Sequence, residues 1–324
     1  MKRIAFVSVT IIISGAVSLV LAETLLRSWG YGNPPLYEYN PAVGFLLKPN
    51  QQLERSGGTK IHINNLGMRS EDTSPEKPDG VYRVLVVGDS VPYGGSYIDQ
   101  EETFSYVAER LLNQEGKRFQ ILNAGVNALG PQNIRRFLET RGTYSADLVI
   151  VYFPWGNLRR DFSNYYIVPF WSNAPGCAIA EFMRHAVWMY FGKLSQSWKE
   201  ITNFDNEFVL TQNLEALKAV KDLCDRRRTP VFFFWSPDPN IIAGTVVDKL
   251  VYDKKRLWKA LPEDVLIDLG PQFAKHTNVA SLFVDACHYA RSGHQFAGEI
   301  LRDFIKTRKE QSDSGLGRAS SRVE

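Results

Sequence analysis

The chain has 324 residues, 44% of them apolar and 23% charged, with a formal charge of +3. That balance excludes a disordered chain, and the length allows one large α/β domain with appendages or two small domains. So small a charge, with basic clusters as short as Arg226–Arg228 and Lys254–Arg256, gives no case for nucleic-acid binding. The three cysteines, Cys177, Cys224 and Cys287, stand far apart with no CxxC or Cys/His spacing, so neither a structural zinc nor a disulfide framework is expected.

In chain order, Lys2 and Arg3 precede Ile4–Ala22, a run without charge. As a helix it measures about 28 Å, close to the hydrocarbon core of a bilayer. The basic flank predicts a cytoplasmic N-terminus and an exported remainder. Residues 1–27 are therefore read as a signal-anchor. Val20-Leu21-Ala22 is an alternative peptidase site, and its cleavage would make the protein secreted. Residues 28–81, rich in Pro, Gly, Asn and Tyr, are expected to form a loosely packed stalk with a hairpin near Ile61–Ile63. "SPEKPDG", residues 74–80, predicts a loop.

From residue 82 short apolar runs alternate with helical patterns. Strands are predicted at Val84–Val87, Phe119–Leu122, Leu148–Phe153, Val231–Trp235, Val265–Leu269 and Leu282–Val284. Helices are predicted near 103–114, 132–141 and 211–227. Continuous apolar strands between helices predict a parallel sheet covered on both faces, with ligands beyond the strands' carboxyl ends. Residues 158–205 interrupt the rhythm with Tyr165, Tyr166, Phe170, Trp171, Trp188, Tyr190, Phe191 and Trp198. A helix is expected within 179–198, in a covering subdomain or in a lid over a sugar or acyl chain. Ser292 and Gln295 predict a capping box, and Phe296, Ile300 and Phe304 continue that last helix. A disordered tail is expected over 309–324.

Four segments should meet at the carboxyl edge of this sheet: Gly88-Asp89-Ser90, "NAGVNALG" at 123–130, "PWGNLRRD" at 154–161 and "VDACHYARSGH" at 284–294. A serine hydroxyl needs a base to take its proton during attack; histidine suits the task, and a carboxylate fixes its tautomer. Asp285 and His288, three apart, can place the carboxylate on Nδ1 and leave Nε2 facing Ser90. The N–H of Ser90, a backbone N–H from the 125–128 loop and the Asn157 amide are candidate oxyanion donors. His294 is expected to pack or bind backbone, and Asp89 to hold its turn.

This ordered set, GDS, a Gly-containing loop after Asn, GN and DxxH, resembles the SGNH (GDSL) hydrolases over residues 82–308. The resemblance implies a flavodoxin-like three-layer α/β/α fold and ester hydrolysis through an acyl-enzyme. It implies Ser90 as nucleophile, His288 as general base, Asp285 as its orienting carboxylate, and an oxyanion hole from Ser90, Ala128 and Asn157. The anchor, the Tyr/Pro-rich segment and "INNLGMRS" before the first strand resemble membrane-anchored members. Two positions depart from the pattern. Aligning Asn123 with the Asn that opens the second block puts Ala128, with Gly125 as the alternative, where that block carries Gly. Leu158 stands where Asp commonly follows Asn157. If position 128 requires a positive φ, alanine there is strained.

The expectation is a membrane-anchored or exported carboxylic-ester hydrolase that needs no cofactor or metal and acts on an acylated carbohydrate or small ester. An O-acyltransferase using the same site, and a non-catalytic glycan-binding envelope protein, are the alternatives.

Overall fold

The computed structural model describes residues 2–114, 116, 118–162, 170–191, 206–245 and 248–314. Helix α1 (Lys2–Ser28) carries the apolar N-terminal run with almost every side chain exposed. Among the described residues it is the one helix long and apolar enough to cross a membrane.

Two antiparallel hairpins follow, β1 (Tyr37–Asn40) with β2 (Gly44–Leu47) and β3 (Gln51–Arg55) with β4 (Thr59–Ile63). Alternation explains the second: Leu53, Ile61 and Ile63 are buried while Glu54 and Lys60 face outward. The expectation of a loose stalk over 28–81 does not hold. Tyr37, Phe45 and Leu47 join those residues in a core that also takes in Tyr93, Val126, Leu129 and Phe170, so the hairpins pack on loops of the main sheet. Arg69, inside "INNLGMRS" and buried, donates to the carbonyls of Tyr93, Gly95 and Ile98 at 2.7, 2.6 and 2.5 Å.

The main sheet holds β5 (Tyr82–Gly88), β6 (Phe119–Gly125), β7 (Leu148–Pro154), β8 (Val231–Ser236) and β9 (Leu266–Asp268), all parallel, in the order β6-β5-β7-β8-β9. Counted from its first strand this is the 2-1-3-4-5 order of flavodoxin-like sheets, whose switch point falls between β5 and β7. Every residue of β7 and β8 is buried, as strands covered on both faces require. The turn α2 (Ser90–Tyr93) leads to α3 (Phe104–Asn113), which packs with the C-terminal helix Arg291–Asp313. Helix α4 (Pro131–Arg141) packs with Glu207–Arg226 to form the other layer.

The sixth predicted strand does not form. Residues 279–282 make a 3-10 turn, Phe283 bridges back to Tyr289, and Val284 is exposed. Of that short apolar run Leu282 alone is fully buried, too little to extend the sheet beyond β9. The capping box does not form either. The last helix starts at Arg291 behind Ala290, Ser292 donates to the carbonyl of Ser281 at 2.8 Å, and Gln295 reaches Glu299. That helix continues to Asp313, past the expected start of the tail, with Arg308 lying over the Phe232 ring at 4.3 Å. In the insertion, α5 (Ala178–Phe191) occupies the first part of the expected helix; Tyr165, Tyr166 and Trp198 lie outside the described residues.

Candidate active site

The serine turn is built by close approach. A Cβ on Gly88 would meet the Tyr152 carbonyl oxygen at 2.2 Å and the Pro92 ring at 2.6 Å, so only glycine lets β5 leave the sheet there. Asp89 then caps α2, its Oδ1 accepting from the Val91 N–H at 3.0 Å. Ser90 is the first residue of that turn. Asp89 is 1% exposed, and among the described residues its Oδ2 has no hydrogen-bond partner. Burial raises its pKa, opposed by the Arg160 charge and the Val91 N–H.

His288 stands 198 positions away in sequence, and its Nε2 lies 2.8 Å from Ser90 Oγ. Its Nδ1 lies 2.7 Å from Asp285 Oδ2. The other carboxylate oxygen accepts the backbone N–H groups of Cys287 and His288 at 2.9 and 2.8 Å, so the DxxH loop is folded around Asp285. Partial burial pushes the Asp285 carboxyl up. The two backbone N–H bonds and His288 outweigh that and leave its pKa below the usual value. An ionised carboxylate can only accept, so Nδ1 carries the ring proton; in the neutral ring Nε2 then accepts from the serine hydroxyl.

Sequence reasoning missed what holds this loop. Tyr289, 1% exposed, places its hydroxyl 2.6 Å from that of Tyr152 on β7 and 2.8 Å from Ser236 Oγ on β8. Its carbonyl accepts from the Tyr97 hydroxyl at 3.2 Å, and its ring stacks on Phe273. The residue after His288 is thereby tied to two central strands. The available signal was an aromatic residue directly after the DxxH motif, with tyrosine and serine at or near strand ends. His294 packs and binds backbone as expected: Nδ1 accepts from the Phe104 N–H at 3.2 Å, and burial holds its pKa down to about 3.

The loop after β6 is tied to the serine turn by the Val126 N–H, which donates to the Gly88 carbonyl at 3.1 Å. A tight turn follows, with Leu129 N–H on the Val126 carbonyl and Ala128 at φ 65°. Position 128 thus takes the left-handed conformation in which alanine is strained. Gly125, the alternative donor, is set aside. Its N–H is bonded to Asn123 Oδ1 at 3.0 Å, and a Cβ there would meet Tyr93 N at 2.3 Å, so this glycine serves packing.

Asn157 sits in the 3-10 turn Trp155–Arg159 after β7 and is wholly buried. One of its amide N–H groups donates to the Leu129 carbonyl at 3.1 Å, and the amide also flanks the Asp89 carboxyl. It therefore braces the turn carrying Ala128, with its second amide N–H on the side of the Asp89 carboxyl. Leu158 is buried in the main core, an apolar position that suits leucine better than aspartate. Arg159, beside it, forms a buried pair with Asp253 at 2.8 and 2.7 Å that ties this turn to the helix Asp248–Ala260.

The described residues contain one cluster with metal-ligand atoms close together: Asp285, Cys287 and His288, within 4.8 Å. Two of the three are engaged with each other and with Ser90, and burial holds the Cys287 thiol protonated well above neutrality. The cluster therefore fits hydrogen-bond relay chemistry better than cation binding.

No protein-family model and no curated protein sequence matches the chain. Among solved structures it is similar to a lipase/acylhydrolase from Enterococcus faecalis, with 15% identity over 70% of this chain and 96% of that one, at a TM-score of 0.43. It is also similar to the acetyl xylan esterase AlAXEase, with 14% identity, 69% and 99% coverage and a TM-score of 0.47. The acetylxylan esterase Axe2 from Geobacillus stearothermophilus gives 13% identity, 67% and 91% coverage and a TM-score of 0.43.

Proposed function

We propose that the protein is a serine-dependent carboxylic-ester hydrolase of the SGNH type, working through an acyl-enzyme on the exported side of a membrane. The observation that carries this reading is the continuous relay Ser90 Oγ–His288 Nε2, His288 Nδ1–Asp285 Oδ2, at 2.8 and 2.7 Å. Ser90 Oγ attacks the ester carbonyl as its proton passes to Nε2, and the Asp285 carboxylate stabilises the imidazolium. The backbone N–H groups of Ser90 and Ala128, with the second amide N–H of Asn157 turned from Asp89, receive the developing oxyanion. His288 returns the proton to the leaving alcohol, and water then releases the acyl group by the same route.

Two observations bear on substrate and compartment. Tyr97, 40% exposed and bonded to the residue after His288, puts an aromatic face beside the site. Such a face suits a sugar ring, and we propose an O-acylated glycan as the substrate class. The exposed apolar α1 behind Lys2 and Arg3 supports a membrane anchor with the site outside the cytoplasm.

The test is hydrolysis of p-nitrophenyl acetate by wild type, Ser90→Ala and His288→Ala, with each substitution expected to lower kcat/KM by on the order of 10³-fold. Equal rates in all three would remove the mechanism. Adding acceptor glycan separates hydrolase from acyltransferase. A hydrolase releases free acid regardless, whereas product carrying the acyl group on the glycan would assign transfer.

A further inference from the structure

Helix α5 (Ala178–Phe191) is amphipathic in the wrong sense for a helix packed on a water-soluble body. Ile179, Phe182, Met183, Ala186, Val187 and Tyr190 recur at i, i+3, i+4, i+7, i+8 and i+11 and form one apolar stripe. A helix resting on a protein ordinarily turns such a stripe inward. Here the polar side does the docking. Glu181, buried, takes a two-pronged bond from Arg55 at 2.7 and 3.2 Å and a backbone bond from Gly32. Arg184 donates to the Phe170 carbonyl at 2.9 Å and lies over the Trp171 ring. The stripe is left outward, with Met183 53%, Val187 51% and Tyr190 78% exposed.

The position of α5 indicates what covers that stripe. Its first turn is bonded to α1: Glu23 Oε1 and Oε2 accept the N–H groups of Ala178 and Ile179 at 2.9 and 3.0 Å, placing a carboxylate at the positive end of the α5 dipole. Glu23 is the residue directly after the uncharged run Ile4–Ala22, the point where a membrane-spanning α1 leaves the hydrocarbon. Tyr31 stands edge-on to Phe182 at 5.5 Å, and Trp29, 61% exposed, follows the last turn of α1, as aromatic residues do at a bilayer boundary. The end of α1 and helix α5 are thus joined, through Glu23 at the first turn of α5 and through Tyr31 at Phe182 of the stripe.

We propose that α5 is an interfacial helix whose apolar stripe lies in the headgroup–acyl boundary of the bilayer beside α1, so that helix and anchor together hold the catalytic unit against the membrane. The proposal rests on reading α1 as a membrane anchor, and the test separates the two. The full chain, with Cys177→Ser and Cys287→Ser and with the buried Cys224 left in place, receives one exposed cysteine at Ile12, Val187 or Lys218, is labelled in the folded state with an environment-sensitive fluorophore and is placed in phosphatidylcholine vesicles. Nitroxide lipids then report contact with lipid, and iodide reports contact with water.

The expected result is quenching at Ile12 by deep nitroxides. At Val187, quenching by shallow nitroxides should be about threefold or more above that at Lys218, half-exposed beside Glu215 on the helix Glu207–Arg226. Quenching at Ile12 with Val187 indistinguishable from Lys218 would overturn the interfacial helix while leaving the anchor intact. Shielding of Val187 from iodide without any lipid quenching would overturn it in favour of a protein partner. No lipid quenching at Ile12 would overturn both the anchor and the inference resting on it.

Discussion

Asp285→Asn should be more damaging than its size suggests, because the backbone dictates which way the new amide faces. Asp285 Oδ1 accepts the N–H groups of Cys287 and His288, and Oδ2 faces His288 Nδ1. Asparagine keeps the two backbone bonds only by leaving its carbonyl oxygen on them, which turns its NH₂ toward Nδ1. Nδ1 must then accept, the ring proton moves to Nε2, and Nε2 can no longer take a proton from Ser90. Flipping the amide restores the working tautomer but sets NH₂ against two N–H donors and loses both bonds. The asparagine amide is neutral, so each bond is worth about 0.5–1.5 kcal/mol, and setting NH₂ against two N–H donors favours the upper figure. Two bonds at about 1.5 kcal/mol make the flipped form about 100-fold rarer, and kcat on p-nitrophenyl acetate should fall by about that factor. Asp285→Ala leaves both tautomers accessible and should lose less. An Asp285→Asn enzyme keeping more than about a tenth of wild-type kcat, or exceeding Asp285→Ala, would refute the tautomer argument.

Three further outcomes concern the scaffold. Burial, then the charges of Arg69 and His288, hold His294 down to about 3 against 6.5, so the unfolded chain binds a proton that the folded one refuses. This part of the stability is full above about pH 6.5 and falls with pH toward about 3, by about 2 kcal/mol between pH 7 and 5; urea titrations should show that slope lost in His294→Asn, and equal slopes would contradict it. Asp253→Asn leaves buried Arg159 with only the half-exposed Glu207 carboxylate at 2.6 Å, and denaturation should report a loss of about 2 kcal/mol, below the full cost of an unpaired buried charge; a loss under about 1 would contradict a structural role for the pair. Ala128→Gly relieves about 1–2 kcal/mol of left-handed strain and gives back about 0.4–1 in chain entropy, so thermal unfolding should show a gain of up to about 1.6 kcal/mol with ester turnover retained; a clear destabilisation would mean the alanine methyl is needed where it packs.

Much of this was legible in the sequence, because alternating buried strands and helices restrict the topology strongly. Five of the six predicted strands form, in the order that brings residues 88–90 and 155–159 to the switch point. Ser90, Asp285 and His288 could be named because the chemistry demands those types and their order was intact. The strand at 282–284 was misread because three apolar residues carry no periodicity, and only packing shows that Phe283 pairs backward with Tyr289. Residues 28–81 read as a stalk because their composition is that of loops, yet Leu53, Ile61 and Ile63 find partners such as Tyr93 and Val126 from far along the chain. Those partnerships are long-range, as are the anchoring of Tyr289 and the bracing role of Asn157. Local pattern does not encode them.

The central claim is that Ser90 is an activated nucleophile, and reaction of the full chain with a fluorophosphonate, followed by peptide mass mapping, tests it most directly. The account predicts one adduct, on Ser90, absent in Ser90→Ala and strongly slowed in His288→Ala. A folded wild-type protein that takes up no label, or one labelled equally after Ser90→Ala, would contradict it.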